Sequence, residues 1–354
     1  MTYTPRSLNS SSYSPPFLSL APMDGVIDSN MRHILTQVGG MDFCWSEFLR
    51  ISDKVPSDRE FFKIMPEMGG APKTGASGYS LTASGIPVGL QLMGHDPLAL
   101  AGTAKRGVDL GAVAIDLNFG CPAKTVNRHQ AGAWLLQYPE KIYEICSSVR
   151  QRVDSKIPVS AKVRLGYENS DLFMDIISAV ERAGCQHLTI HARTKAQGYS
   201  LTADWSMLAL AQHNTYLPII ANGDIVDLAS FERCRILSGC QHFMIGRGAI
   251  ANPWIFCEIK KAYADESTPT SMPGTNLAPI PPPSYSAEAQ IRLLVQHLEL
   301  NAHTVSEEFA VARCKQWLGL LSRSSHAYDK EKWRLLFDRL KVEQEFVKVL
   351  RALS

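Results

Sequence analysis

No apolar stretch in this 354-residue sequence approaches the ~20 residues needed to cross a bilayer. The first fifteen residues, MTYTPRSLNSSSYSP, lack the apolar segment of a secretory signal. A soluble, intracellular and cytoplasmic protein is therefore expected. No Cys-x-x-Cys pair occurs, and the eight cysteines, at 44, 121, 146, 185, 234, 240, 257 and 314, are widely spread, which favours free thiols over a disulfide framework. The absence of a His-Glu-x-x-His motif and of any Cys/His cluster excludes a recognisable metal site. Excess charge is also scarce: 36 Lys+Arg against 34 Asp+Glu leave +2, so a wholesale nucleic-acid coat is excluded and any RNA contact must come from a local patch. No internal repeat stands out beyond the alternation of strands and helices.

With 45% hydrophobic and 20% charged residues, the chain can bury a large core. Short apolar runs recur between longer helical stretches at 17–22, 42–48, 87–94, 112–118, 158–166, 187–193, 218–224 and 242–248. Several are apolar on both faces, as strands packed inside and covered outside must be. Eight such units form a (β/α)8 barrel, an α/β TIM barrel whose active site lies at the C-terminal strand ends. Asn118, Lys162, Arg164, His191, Asn222 and Arg247 all fall at or just beyond the end of a run. The barrel is expected over 17–263, after an N-terminal extension, 1–16. Residues 264–287 hold six prolines and no apolar period, and read as a linker. Beyond it, Ile291, Leu294, Val295 and Leu298, then Trp333, Leu336, Phe337 and Leu340, keep helical spacing, so 288–354 reads as a small all-α domain. Between 313 and 341, eight basic residues face three acidic ones, a local +5.

Two glycine-bearing turns, NGD at 222–224 and IGRG at 245–248, close the last two strands, where barrels commonly hold phosphate on backbone N–H groups. Their joint placement favours phosphate over mere chain turns. On the fifth strand Lys162 and Arg164 share one face, and two cations aimed into a barrel mouth call for an anion or an electron-rich ligand. His191 ends the sixth strand, where a neutral imidazole could donate to a carbonyl or phosphate, although a lone histidine is more often structural. In DLNFGCPAKTVN, 116–127, Gly120 bends the chain, Cys121 sits at the loop tip and Pro122 stiffens the residues after it. Nucleophile, general acid and inert small hydrophobe are all open to that thiol. An ordinary thiol is mostly protonated near neutral pH, so it can donate a proton without activation.

Taken together, LAPMDGV (20–26), QLMG (91–94), DLNFGCPAKTVN (116–127), KVRLG (162–166), HARTKAQGY (191–199), IANGDI (220–225) and MIGRGA (244–249) resemble the tRNA-dihydrouridine synthases, in the family's order. HARTKAQGY with Asp204 and Trp205, and VARCKQWLGLL (311–321), most resemble the bacterial C-type subfamily that acts on uridine 16 of the D-loop. The resemblance implies a flavin barrel with a helical tRNA-binding domain, FMN as cofactor, NADPH (or NADH) as electron donor and tRNA as partner, in a monomer without membrane or metal. It implies that Pro22, Met23 and Asp24 line the flavin, Gln91 and Lys162 bond its ring, and His191 sits beside it. Asn222, Gly223, Asp224, Gly246 and Arg247 would hold the ribityl phosphate. Hydride would pass to uracil C6 and Cys121 would protonate C5 as the general acid. Asn118, Arg164 and Tyr199 would contact the uracil, while Arg50, Arg313, Lys315 and Gln316 would orient the tRNA. Three rivals remain: a flavin barrel acting on a free pyrimidine, a silent RNA-binding barrel, and an aldolase-type barrel using Lys162 as a Schiff base.

Overall fold

This computed structural model describes residues 16–69, 80–266, 286–324 and 329–353. Most of the N-terminal extension and of the Pro-rich stretch lies outside the described residues. Among the described residues there are nine parallel strands: β1 (Phe17–Leu20), β2 (Phe43–Trp45), β3 (Leu49–Arg50), β4 (Val88–Met93), β5 (Ile115–Asn118), β6 (Val159–Arg164), β7 (Leu188–His191), β8 (Ile219–Asn222) and β9 (His242–Ile245). β1 pairs with both β9 and β2, and β2 pairs with β4, so the sheet closes on itself. Counting β2 and β3 as two pieces of one strand, this is the eight-stranded barrel that the alternation implies.

The expected second strand, 42–48, thus ends early, at Trp45, and pairing resumes only at Leu49. At the break Ser46 turns its hydroxyl into the ladder and accepts from the Gln91 amide at 3.1 Å, doing the work of a backbone carbonyl. The chain re-pairs at β3, beyond which the Ile51 amide donates to the Met93 carbonyl at 2.7 Å.

Helices between the strands follow ordinary start signals and periods. Helix Pro97–Asp109 opens on a proline behind Asp96, whose side chain accepts from the Ala99 amide. Helix Pro139–Arg152 buries Ile142, Ile145, Cys146 and Val149, an i, i+3, i+4, i+7 stripe. Each large apolar side chain so buried contributes roughly 1.5–3 kcal/mol. Inside the barrel Phe17, Ala21, Phe43, Trp45, Ala114, Ile220 and Met244 share one apolar cluster. Among the described residues no helix is long and apolar enough to cross a membrane.

The chain divides into two compact units, and the division does not fall at the Pro-rich stretch. One unit holds all nine strands; the other gathers Asn30–Gly40, Val226–Leu228 and Gly246–Ser354. The reason is visible in the second unit's own bonds. Trp317 Nε1 donates to the Ile250 carbonyl and Gln290 Nε2 to the Ala251 carbonyl, both at 3.1 Å, which ties helix Arg247–Ala251 to the C-terminal helices. Asn30 Nδ2 donates to Asn301 Oδ1 at 3.0 Å and to Thr304 Oγ1 at 2.8 Å. The C-terminal helices Ala287–Thr304, Glu307–Arg323 and Lys330–Leu340 are each capped by a Ser or Asp side chain. Leu294, Leu298, Trp333 and Leu340 are buried, as their spacing demands.

Gly89 on β4 is required by packing: a Cβ there would stand 2.3 Å from the Trp45 ring, which is 1% exposed and cannot retreat. Gly89→Ala should therefore destabilise the fold by ~1–3 kcal/mol. Chemical denaturation checks it, and an unchanged midpoint would show that the core yields at this point.

Candidate active site

Strand alternation places Gln91 of β4, Asp116 and Asn118 of β5, Ser160, Lys162 and Arg164 of β6, Thr189 and His191 of β7 and Asn222 of β8 on one face, and all of them are buried. A buried polar group needs a partner. Gln91 Nε2 donates to Asp116 Oδ2 at 2.7 Å, Asn118 Nδ2 to Gln91 Oε1 at 2.8 Å, and Ser160 Oγ to Asp116 Oδ1 at 2.6 Å. Lys162 Nζ donates to Asn222 Oδ1 at 3.0 Å, and Asn222 Nδ2 to the Met244 carbonyl at 2.8 Å. Burial, reinforced by the nearby Arg164 charge, pushes Lys162 down to about 8. Burial raises the Asp116 carboxyl to about 6 against the bonds from Ser160 and Gln91.

The Cys121 loop is fastened by its neighbours. Asn118 Oδ1 accepts from the Gly120 and Cys121 amides at 2.9 and 3.0 Å, and Arg164 Nε donates to the Gly120 carbonyl at 2.8 Å. The Cys121 carbonyl accepts from the Ala133 amide and from Asn127 Nδ2, both at 3.0 Å. That closeness requires Gly132, which sits at φ +61° and whose added Cβ would meet the Cys121 carbonyl at 2.9 Å. The thiol is half-buried, and burial raises its pKa above the ordinary value although the Ala123 amide donates to it. A thiol so held keeps its proton at neutral pH, which suits a general acid and disfavours a thiolate nucleophile.

Above it, Arg193 organises the segment after β7. It donates through Nε to the Leu201 carbonyl at 2.5 Å, pairs with Asp224, and lies 3.2 Å from His191 Nε2. Because a guanidinium only donates, that imidazole nitrogen accepts, and His191 is neutral there. Tyr199 is 55% exposed, its ring 5.8 Å from both the Arg164 and Arg193 guanidiniums and 5.9 Å from the His191 ring.

Several expected contacts take a different form in the structure. Gln91 has no exposed surface, and both ends of its carboxamide are engaged, by Asp116 and Asn118. The Asp224 carboxylate is occupied by Arg193 and by the Ala203 amide at 2.9 Å, so it is itself no donor to a phosphate. Pro22 and Met23 are half-buried and Asp24 exposed in the turn after β1. Arg50 is exposed and donates to the Thr125 carbonyl at 3.4 Å. Gly246 and Arg247 lie in the second unit, at the start of helix Arg247–Ala251. In that unit Arg313 is only 7% exposed and bonds Gln316, while Lys315 Nζ donates to the Glu343 carbonyl at 3.0 Å. Arg313 is thus turned inward while Gln316 stays exposed, and Arg323, Lys330, Arg334, Arg339 and Lys341 are exposed cations of the 313–341 stretch. Asp116, Ser46 and Ser160 were missed; an aspartate two residues before Asn118 in an otherwise apolar strand was the available signal.

A sequence model of the dihydrouridine synthases (Dus) matches residues 19–352. The tRNA-dihydrouridine(16) synthase of Pseudomonas putida is 38% identical over 95% of this chain and 96% of its own. Its namesake from Pseudomonas syringae pv. tomato is 40% identical over 87% and 90%, and that of Shewanella oneidensis 37% over 95% and 96%.

The buried ammonium has a measurable consequence. The unfolded chain keeps the Lys162 proton up to its ordinary value, whereas the folded chain gives it up near 8. Between those values the unfolded state binds more protons, so stability rises with pH across the window and the full cost falls below it. Without cofactor, Lys162→Met should be more stable than the parent by ~1–3 kcal/mol at pH 7, the gap closing by pH ~10. Urea denaturation at both values checks it; equal stability at pH 7 would mean a solvated lysine.

Proposed function

Because the chain belongs to the dihydrouridine synthase family, we propose that it reduces uridine 16 of tRNA to 5,6-dihydrouridine in the cytoplasm, with FMN as its flavin and NADPH as electron donor. The observation that carries the reading is the Cys121 loop, a protonated thiol pinned at the strand ends, in a chain whose relatives bear the name tRNA-dihydrouridine(16) synthase.

The residues present suit a flavin. Lys162 is a cation whose charged form burial disfavours, and an electron-rich ring edge would favour that form. Gly223 holds φ +118°, and a Cβ there would meet Ala203 Cβ and His191 Cδ2 at 3.2 Å, so the turn at 222–224 offers bare backbone. Asp224 is neutralised by Arg193 and does not oppose a phosphate at that turn. Bound and reduced, the flavin supplies hydride for uracil C6. Cys121 then delivers its proton to C5, relieving the charge that builds on the ring. Asn118 Nδ2 keeps one hydrogen after bonding Gln91, and Arg164 keeps those not spent on Gly120 and Thr194; these would face the uracil oxygens. His191, neutral at Nε2, and Tyr199 would flank the ring. The uracil must leave the stacked tRNA to reach Cys121, and exposed Lys330, Arg334 and Arg339 in the helical unit would offset that cost through phosphates.

Cys121→Ala should keep its flavin and still take electrons from NADPH, yet reduce tRNA uridine ~10²–10⁴-fold more slowly. Normal single-turnover reduction by this variant would assign the proton to another group. In cells lacking the protein, tRNA should carry unmodified uridine at position 16 while its other dihydrouridines persist. Sequencing that finds the loss elsewhere would overturn the choice of uridine.

A further inference from the structure

Asp116 has no part in the chemistry above, yet it is buried among the residues that do. It stands opposite Gln91 and Ser160 in the β4–β5 and β5–β6 registers, and its two oxygens accept one hydrogen bond from each. From Gln91 the chain of bonds runs on: Asn118 Nδ2 donates to Gln91 Oε1, and Asn118 Oδ1 accepts from the Gly120 and Cys121 amides. Chemistry fixes both ends, because an ionised carboxylate only accepts and a backbone amide only donates. Each carboxamide between them therefore has a single allowed orientation. Turning either by half a revolution would set donor against donor and acceptor against acceptor. Water cannot repair such a mismatch where Gln91, Asp116 and Asn118 are 0, 1 and 9% exposed.

We infer that Asp116 is a positioning residue: acting through Gln91, it holds the Asn118 carboxamide in the one orientation that pins the Cys121 loop. A buried carboxylate is costlier than an apolar side chain of its size, so its presence at this position asks for a task beyond packing. Accepting at both oxygens, from Gln91 and from Ser160, is such a task, because it commits the polarity of the hydrogen-bond chain from this end. Lys162, on the neighbouring strand, supplies a compensating positive charge. The inference rests on the reading of Cys121 as the proton donor.

The polarity can be reversed without altering size or net charge. Asn118→Asp leaves an acceptor where the chain needs a donor; Gln91 must turn its Nε2 toward the new carboxylate, which sets its Oε1 against Asp116. Adding Asp116→Asn presents a donor to that Oε1 and satisfies every group in the opposite sense. In FMN-reconstituted enzyme, Asn118→Asp should slow single-turnover tRNA reduction by ~10–100-fold and lower the melting midpoint, the effect of opposed buried acceptors. The second substitution should restore at least ~10-fold of that rate and raise the midpoint, a coupling that independent sites would not show. Asp116→Asn alone should cost under ~3-fold, because its amide oxygen still accepts from Gln91. A double variant no faster and no more stable than Asn118→Asp, or one that stays unfolded, overturns the inference; if only Asn118→Asp fails to fold, rescue by the second change supports it. Parent enzyme that binds no flavin or leaves uridine unreduced strikes the proposed function instead, and the coupling of melting midpoints then decides the role of Asp116.

Discussion

The interior of a closed parallel barrel must satisfy its own polar groups, and here it contains an aspartate, a lysine and three carboxamides. Apolar side chains fill part of the interior, so the polar groups have only one another and the strand carbonyls to bond. Cross-strand register makes this possible: Gln91 lies beside Asp116, Asp116 beside Ser160, and Asn118 beside Lys162. The charges shift toward each other, Asp116 up and Lys162 down, as burial requires of both. Stability given up there holds a cation and directed donors in fixed places, as a binding site requires.

Thiols show how surroundings, not residue type, set chemistry. Six of the eight cysteines are buried, and burial pushes Cys240 up to about 11 and Cys314 up to about 12. These behave as small hydrophobes. Cys257 is half-buried but its Sγ is spent on the Val38 carbonyl at 3.3 Å. Cys121 combines partial exposure with a raised pKa and a loop in which the Gly120 and Cys121 amides and carbonyls are claimed by side chains or neighbouring backbone. Base rates alone would have called it inert.

Much of this was legible in the sequence. Apolar runs separated by helical stretches specify parallel strands, because a strand covered on both faces has no polar side to show. Polar residues at the ends of those runs pointed to the strand-end mouth. What stayed hidden is of one kind: bonds between residues distant in sequence. Ser46 interrupts β2 by bonding Gln91, 45 residues away, and no local pattern announces it. The Pro-rich stretch looked like the boundary between compact units, yet Ile250 and Ala251 bond Trp317 and Gln290 and carry the boundary back to Gly246. Helical phase put Arg313 and Gln316 on one face but could not say that Arg313 is covered while Gln316 stays exposed.

Position and protonation of the Cys121 thiol have separate causes. Burial keeps the proton on sulfur, and that depends on what surrounds the loop. Location comes from Asn118 and Arg164, both strand residues, which bond the backbone of the loop from two strands. A loop so fastened behaves as an extension of the sheet and inherits its rigidity, which a proton donor needs because transfer falls off steeply with misplacement. On the proposed function, two of the residues that would meet the substrate, Asn118 and Arg164, are also the two that would locate the acid. On that reading binding and proton delivery would not alter independently at either position, and this coupling leaves Asp116, two hydrogen bonds behind Asn118, as the place where position alone would be set.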